Sequence, residues 1–152
     1  MNIVWQYLDK KAAAINALKD YSSMKYIIDH ADEDIATIHE RMGSPSASVL
    51  NGMPSVHDPK AGEKRLISCI NEIDVLKERY RQALEYMEWF QPAWDELTDD
   101  ERYVLKKFYL NAEQKQIDAI YCICEHLHIE RSSAYNKKNR ALQHLALLLY
   151  GK

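Results

Sequence analysis

The sequence predicts an almost entirely α-helical protein, and three observations carry the prediction. Only four Gly and four Pro occur in 152 residues, apolar residues recur at helical spacing over long stretches, and no run of β-branched residues interrupts them. With 47% hydrophobic residues the chain can bury a core, and its length fits one domain or two small ones. The N-terminal MNIVWQYLDKK lacks a basic segment followed by an apolar run. No uncharged stretch reaches the roughly 18 residues that would span a bilayer, so neither secretion nor a membrane is expected. Three cysteines, two of them separated by one residue, form no disulfide framework and fit a reducing cytoplasm.

The first element is a helix over 12–42. Ala14, Tyr21, Ile28, Ile35 and Met42 occupy one heptad position, and Ala17, Met24, Ala31 and Ile38 the other. From 43 to 62 the segment GSPSASVLNGMPSVHDPKAG holds three of the four prolines and no period, so it reads as a loop. A second heptad runs from 63 to 90, with Leu66, Ile73, Tyr80 and Met87 on one seam and Cys69, Leu76, Ala83 and Phe90 on the other. The two helices are expected to form a coiled-coil-like pair, either as a hairpin within one chain or between chains in a homodimer. Pro92 is expected to end or kink the second helix, because it lacks an amide donor. That divides the chain into a helical hairpin at 1–92 and a C-terminal domain at 93–152.

In the C-terminal part, Thr98-Asp99-Asp100-Glu101 has the pattern of a capping box with three acids at the positive end of a helix dipole. The helix it opens carries Val104, Leu105, Phe108 and Tyr109 on one face. After a polar link at 111–114 a second helix is expected to run to about His126, and a third from about Glu130 to Tyr150. Charge is uneven here. From Arg131 onward there are five bases (Arg131, Lys137, Lys138, Arg140, Lys152) and no acid. Residues 95–130 hold nine acids (Asp95, Glu96, Asp99, Asp100, Glu101, Glu113, Asp118, Glu125, Glu130) against four bases (Arg102, Lys106, Lys107, Lys115). A chain of net charge -3 thus confines its positive field to its last stretch, where it can meet phosphates.

The order of residue types from 120 onward is that of a helix-turn-helix, in which two helices cross closely at a small residue and the second presents polar side chains to the major groove. Ile120, Ile123 and Leu127 would form the inner face of the first helix, Cys124 its small residue and Ile129 the plug of the turn. Ala134, Ala141, Leu145 and Leu148 would line the inner stripe of the last helix. Ser132, Ser133, Tyr135, Asn136, Asn139 and Arg140 then face outward. Lys137 and Lys138 flank the stripe, where their methylene stems can lie on apolar surface with the ammonium groups extended.

LTDDERYVLKKFYL followed by IDAIYCICEHLHIERSSAYNKKNRALQHL resembles region 4 of sigma-70-type factors over about the last third of the chain. Together with the long helices, the NGMP-containing loop and the closing LALLLYGK, the chain resembles the ArpU/RinA-like transcriptional regulators of phages and prophages. The resemblance implies a late-gene activator that binds double-stranded DNA, works with host RNA polymerase and resides in the bacterial cytoplasm at the nucleoid. His128 departs from it by standing where the turn often has Gly, as does Lys137 at an apolar position.

On this reading Arg131, Lys137, Lys138 and Arg140 would contact phosphates. Ser132, Asn136, Asn139 and again Arg131 are candidates for base edges, Asn suiting adenine and Arg guanine, while Tyr135 would pack on a sugar or thymine methyl and Ser133 completes the outer face. Two other classes remain open, a repressor and a helical module that binds proteins and no DNA. Cys122, Cys124, His126 and His128 have the alternation of a metal site, but in a helix residues two apart point about 200° apart, which favours core and turn roles over zinc. Trp5, Trp89 and Trp94 are scattered, as core or interface anchors are. No phosphate loop, nucleophile elbow or HExxH is present, so neither catalysis nor a cofactor is expected.

Overall fold

The computed structural model describes residues 7–43, 59–111 and 113–151. They contain five α-helices and one π-helical stretch and no strand: α1 (Lys10–Gly43), α2 (Ala61–Glu96), α3 (Asp99–Leu105), the π stretch (Lys106–Leu110), α4 (Gln116–Leu127) and α5 (Arg131–Tyr150). The fold is all-α. No helix among the described residues is long and apolar enough to cross a membrane. Trp5, Lys152 and the loop expected at 43–62, apart from Gly43 and 59–62, lie outside the described residues.

The chain forms two compact units, one of Met1–Lys25 with Glu85–Lys152 and one of Tyr26–Leu84. This differs from the division expected at 92–93, and packing explains why. The start of α1 contributes Ala14, Ala17 and Leu18 to a core built with Phe90 and Trp94 of α2, so it belongs with the C-terminal helices. Asp9 sets the beginning of α1 by accepting from the Ala12 amide at 3.1 Å.

In the first unit, Phe90 is fully buried and carries an aromatic cluster, with Tyr86, Tyr21 and Trp94 at centroid distances of 5.3, 5.5 and 5.9 Å. The Tyr86 hydroxyl donates to the carbonyl of Ala17. Burial, more than the nearby Asp20, pushes that phenol well above the ordinary tyrosine range. Pro92 does not end α2, which continues to Glu96. Ala93 and Trp94 just beyond it, and Leu97 past the helix end, are buried, so packing offsets the lost amide bond.

Thr98 and Glu101 close the capping box of α3 reciprocally: the Thr98 Oγ1 accepts from the Glu101 amide at 3.3 Å and the Glu101 Oε2 from the Thr98 amide at 2.9 Å. The four apolar residues expected on one face of this helix are shared between two cores instead. Leu105 and Tyr109 join the cluster of Phe90, whereas Val104 and Phe108 pack with Ile120, Ile123 and Ala134. Adjacent positions diverge by about 100° on a helix, which lets one segment wedge between two clusters.

The second unit holds the later part of α1 and the earlier part of α2. Ile38, Cys69 and Ile73 are buried there, with Ile35, Met42 and Leu76 packed against them. The seam residues therefore meet within one chain. The Arg41 guanidinium contacts Glu72 at 2.5 Å, and Arg65 donates to the Arg41 carbonyl. Leu66 lies on the same helical stripe as Cys69 and Ile73 but is 45% exposed, lining a groove with Met42 and Cys69 close to the end of α1.

Candidate nucleic-acid interface

The candidate surface is built on the join between α4 and α5. The Cys124 carbonyl accepts from the amides of His128 and Ile129, closing α4, and His128 takes the left-handed conformation at φ 53, ψ 47. The angle normally left to Gly is thus accommodated by histidine. Three residues, 128–130, separate the helices. His128→Gly is expected to stabilise the protein by about 0.5–1 kcal/mol, since it removes the Cβ crowding of this conformation but adds freedom to the unfolded chain. A urea midpoint that rises at constant m-value would report it; a lower midpoint would show that the histidine side chain contributes more than its backbone costs.

Across this turn Ala134 is fully buried against Ile120, Ile123 and Val104, with Cys124, Leu127 and Ile129 packed around them. Ala119, at 1% exposure, is a second small residue on α4, which the sequence pattern did not single out. Further along α5, Ala141 and Leu145 are buried as expected, but Leu148 is 36% exposed. Leu142, Ala146 and Leu149 complete the buried stripe in its place. Helical geometry accounts for the shift: Leu149 lies about 40° from Leu145, and Leu148 about 60° away on the other side.

The nine candidate residues share the first half of α5 but differ in presentation. Arg131, Ser132, Ser133, Asn136 and Arg140 are exposed, whereas Tyr135, Lys137, Lys138 and Asn139 are half-buried. Tyr135 and Asn139, expected on the outside, therefore sit at the edge of the face. Tyr135 leans on Phe108 at a centroid distance of 6.2 Å. Lys138 lies over the rings of Phe108 and Tyr135, at 5.0 and 5.6 Å from their centroids. Burial, and secondly the charge of Lys11, lower its ammonium from the ordinary lysine value.

Lys137 reaches the other way, to Asp100 at 3.4 Å, and His144 meets both carboxylate oxygens of Glu101 at 3.1 Å. The acidic start of α3 therefore faces one side of α5. Neither pairing has a local signal in sequence, because the partners are 37 and 43 residues apart. Asp99 instead pairs with Arg102 at 2.5 Å.

The four residues of the C-x-C-x-H-x-H run have separate surroundings. Cys122 Sγ accepts from Gln114 at 3.4 Å, Cys124 borders the core, His126 stacks on Tyr103 at 4.1 Å and His128 makes the turn. No protein-family model, curated protein or solved structure matches the chain.

Proposed function

We propose that the chain is a sequence-specific DNA-binding transcriptional regulator in which α4, the turn and α5 act as a helix-turn-helix of the sigma region 4 kind, attached to a hairpin of α1 and α2. One observation carries the reading: Ala134 is sealed into the α4 contact while Arg131, Ser132, Ser133, Asn136 and Arg140 remain exposed around it. A buried small residue allows close helix crossing, and the polar residues flanking it are those a groove-reading helix needs. Arg131 and Arg140 supply phosphate contacts, and Arg131, Ser132 and Asn136 supply base edges. Asn139 contributes from the edge of the face, Lys137 by exchanging Asp100 for phosphate. Lys138 contributes least, because it lies over two rings.

The wider reading follows the family resemblance, a phage or prophage late-gene activator acting with host polymerase at the nucleoid, and the heptad repeats of α1 and α2 add a homodimer. A repressor would use the same surface and differ only in the sign of its effect in a transcription assay with that polymerase.

Selection of bound DNA from a random pool at moderate salt tests binding and preference together. A recovered motif is expected. Replacing Asn136 and Asn139 with Ala should then relax preference at one or two base pairs by about 1–3 kcal/mol each. Arg131→Ala and Arg140→Ala should each reduce the slope of log affinity against log salt by about 0.9. A pool that yields no motif and no salt-dependent binding would leave the protein-interaction reading in its place. That reading has its own support in the exposed Trp89, Leu147 and Leu148.

A further inference from the structure

The heptad seams of α1 and α2 meet within the chain, through Cys69, Ile73 and Leu76 against Ile35, Ile38 and Met42, so a dimer must use another surface. On α2, Ile67 and Val75 are each 50% exposed. They belong to a stripe of five exposed residues, Lys64, Ile67, Asn71, Val75 and Glu78, spaced three, four, four and three apart. At 100° per residue these five fall within an arc of about 80°, roughly opposite the buried Cys69 and Ile73. Ile67 and Val75 also line a groove of about 570 Å³ with Ile38 and Leu76 at its side.

The order of chemistry along the stripe is cation, aliphatic, amide, aliphatic, anion, with Asn71 at its centre. Turned end for end, the stripe keeps its spacing and exchanges its charges. A second copy laid antiparallel about a twofold axis at Asn71 therefore sets Ile67 on Val75, Lys64 on Glu78 and Asn71 on its own counterpart, each apolar and ionic pair occurring twice. A parallel arrangement would set Lys64 on Lys64 and Glu78 on Glu78. Glu78 is already steadied by Arg81 and Gln82, at 2.7 and 3.1 Å, and their hydrogen bonds hold its carboxyl below the ordinary range.

We propose that this stripe is the homodimer interface, with α2 of one chain packed antiparallel on α2 of a second copy and Asn71 fixing the register at the axis. A single polar residue among apolar contacts specifies register in paired helices at some cost in stability. The inference deepens the homodimer of the preceding reading and rests on that reading only for there being a second copy. Whether the chain binds DNA is a separate matter.

Sedimentation equilibrium of the full chain tests it. The wild type is expected to dimerise reversibly, and Ile67→Asp and Val75→Asp each to weaken association by about tenfold or more, as for truncation of central interface anchors. Ile70→Asp, on the neighbouring flank at 44% exposure, should leave the dimer intact. Lys64→Glu and Glu78→Lys should each dissociate alone through like charges facing twice. An equimolar mixture of the two should recover a heterodimer, because every ionic pair is then opposite in sign. Circular dichroism of each variant keeps dissociation distinct from unfolding. A wild type monomeric at all concentrations, a dimer that survives Ile67→Asp and Val75→Asp, or a mixture as dissociated as its components would overturn the proposal. Selection from the random DNA pool reports on the DNA reading independently of all three.

Discussion

Phe90→Ala is expected to destabilise the protein by about 3–5 kcal/mol, the range for deleting a buried aromatic side chain. Phe90 is fully buried and has four aromatic neighbours, Tyr21, Tyr86, Trp89 and Trp94, whose rings would border the cavity left behind. Those rings come from α1 and α2, and the same cluster includes Leu105 before the π stretch and Leu145 of α5. Loss of the side chain should therefore be felt by the whole unit, with one cooperative transition shifted to lower urea. Phe90→Leu should cost clearly less, because most of the apolar volume remains. A shift below about 1 kcal/mol for Phe90→Ala would mean that this cluster does not organise the unit.

Ala134→Leu is expected to have the second large effect, on function as well as stability. Ala134 has no exposed surface and is enclosed by Val104, Ile120 and Ile123, so three added carbon atoms have no room. Overpacking of this kind costs about 1–3 kcal/mol. Relief by lifting α5 from α4 would displace Arg131, Asn136 and Arg140 together, so any preference recovered from the random DNA pool should be lost while helix content stays near wild type. Ser133→Leu, one position away and exposed, should change stability by no more than about 0.5 kcal/mol. Equal stability loss from the two variants would contradict the inward orientation of Ala134.

Periodicity made the helices legible, and it did so best where one face packs on one partner. The seams of α1 and α2 show this, with Ile35, Ile38, Cys69 and Ile73 all found in packed positions. Local capping was legible for the same reason: Thr98 and Glu101 interact over three residues. What the sequence hid were choices made by distant partners. Pro92 remains within α2 because Ala93 and Trp94 are buried beyond it, and propensity carries no record of that burial. Val104 and Leu105 part to different clusters because each meets a different set of helices. In the candidate interface, the spacing of Ser132, Ser133, Asn136 and Arg140 predicted their exposure. It also placed Lys137 and Lys138 at the flank of the buried stripe, but their partners Asp100 and Phe108 lie in distant segments, which no pattern within α5 reveals.

The π stretch at Lys106–Leu110 has a consequence for how this segment tolerates change in length. Its wider turn accommodates more residues than an α-turn of the same rise, so it serves as a one-residue allowance between two anchors, Val104 with Phe108 on one side and Leu105 with Tyr109 on the other. Deleting Lys106 or Lys107 would let the backbone close to α geometry and absorb the loss locally, whereas the same deletion in a regular α-helix would swing everything downstream by about 100°. The segment thus holds the phase between the two cores with one residue in reserve, and a homologue shortened there could keep both.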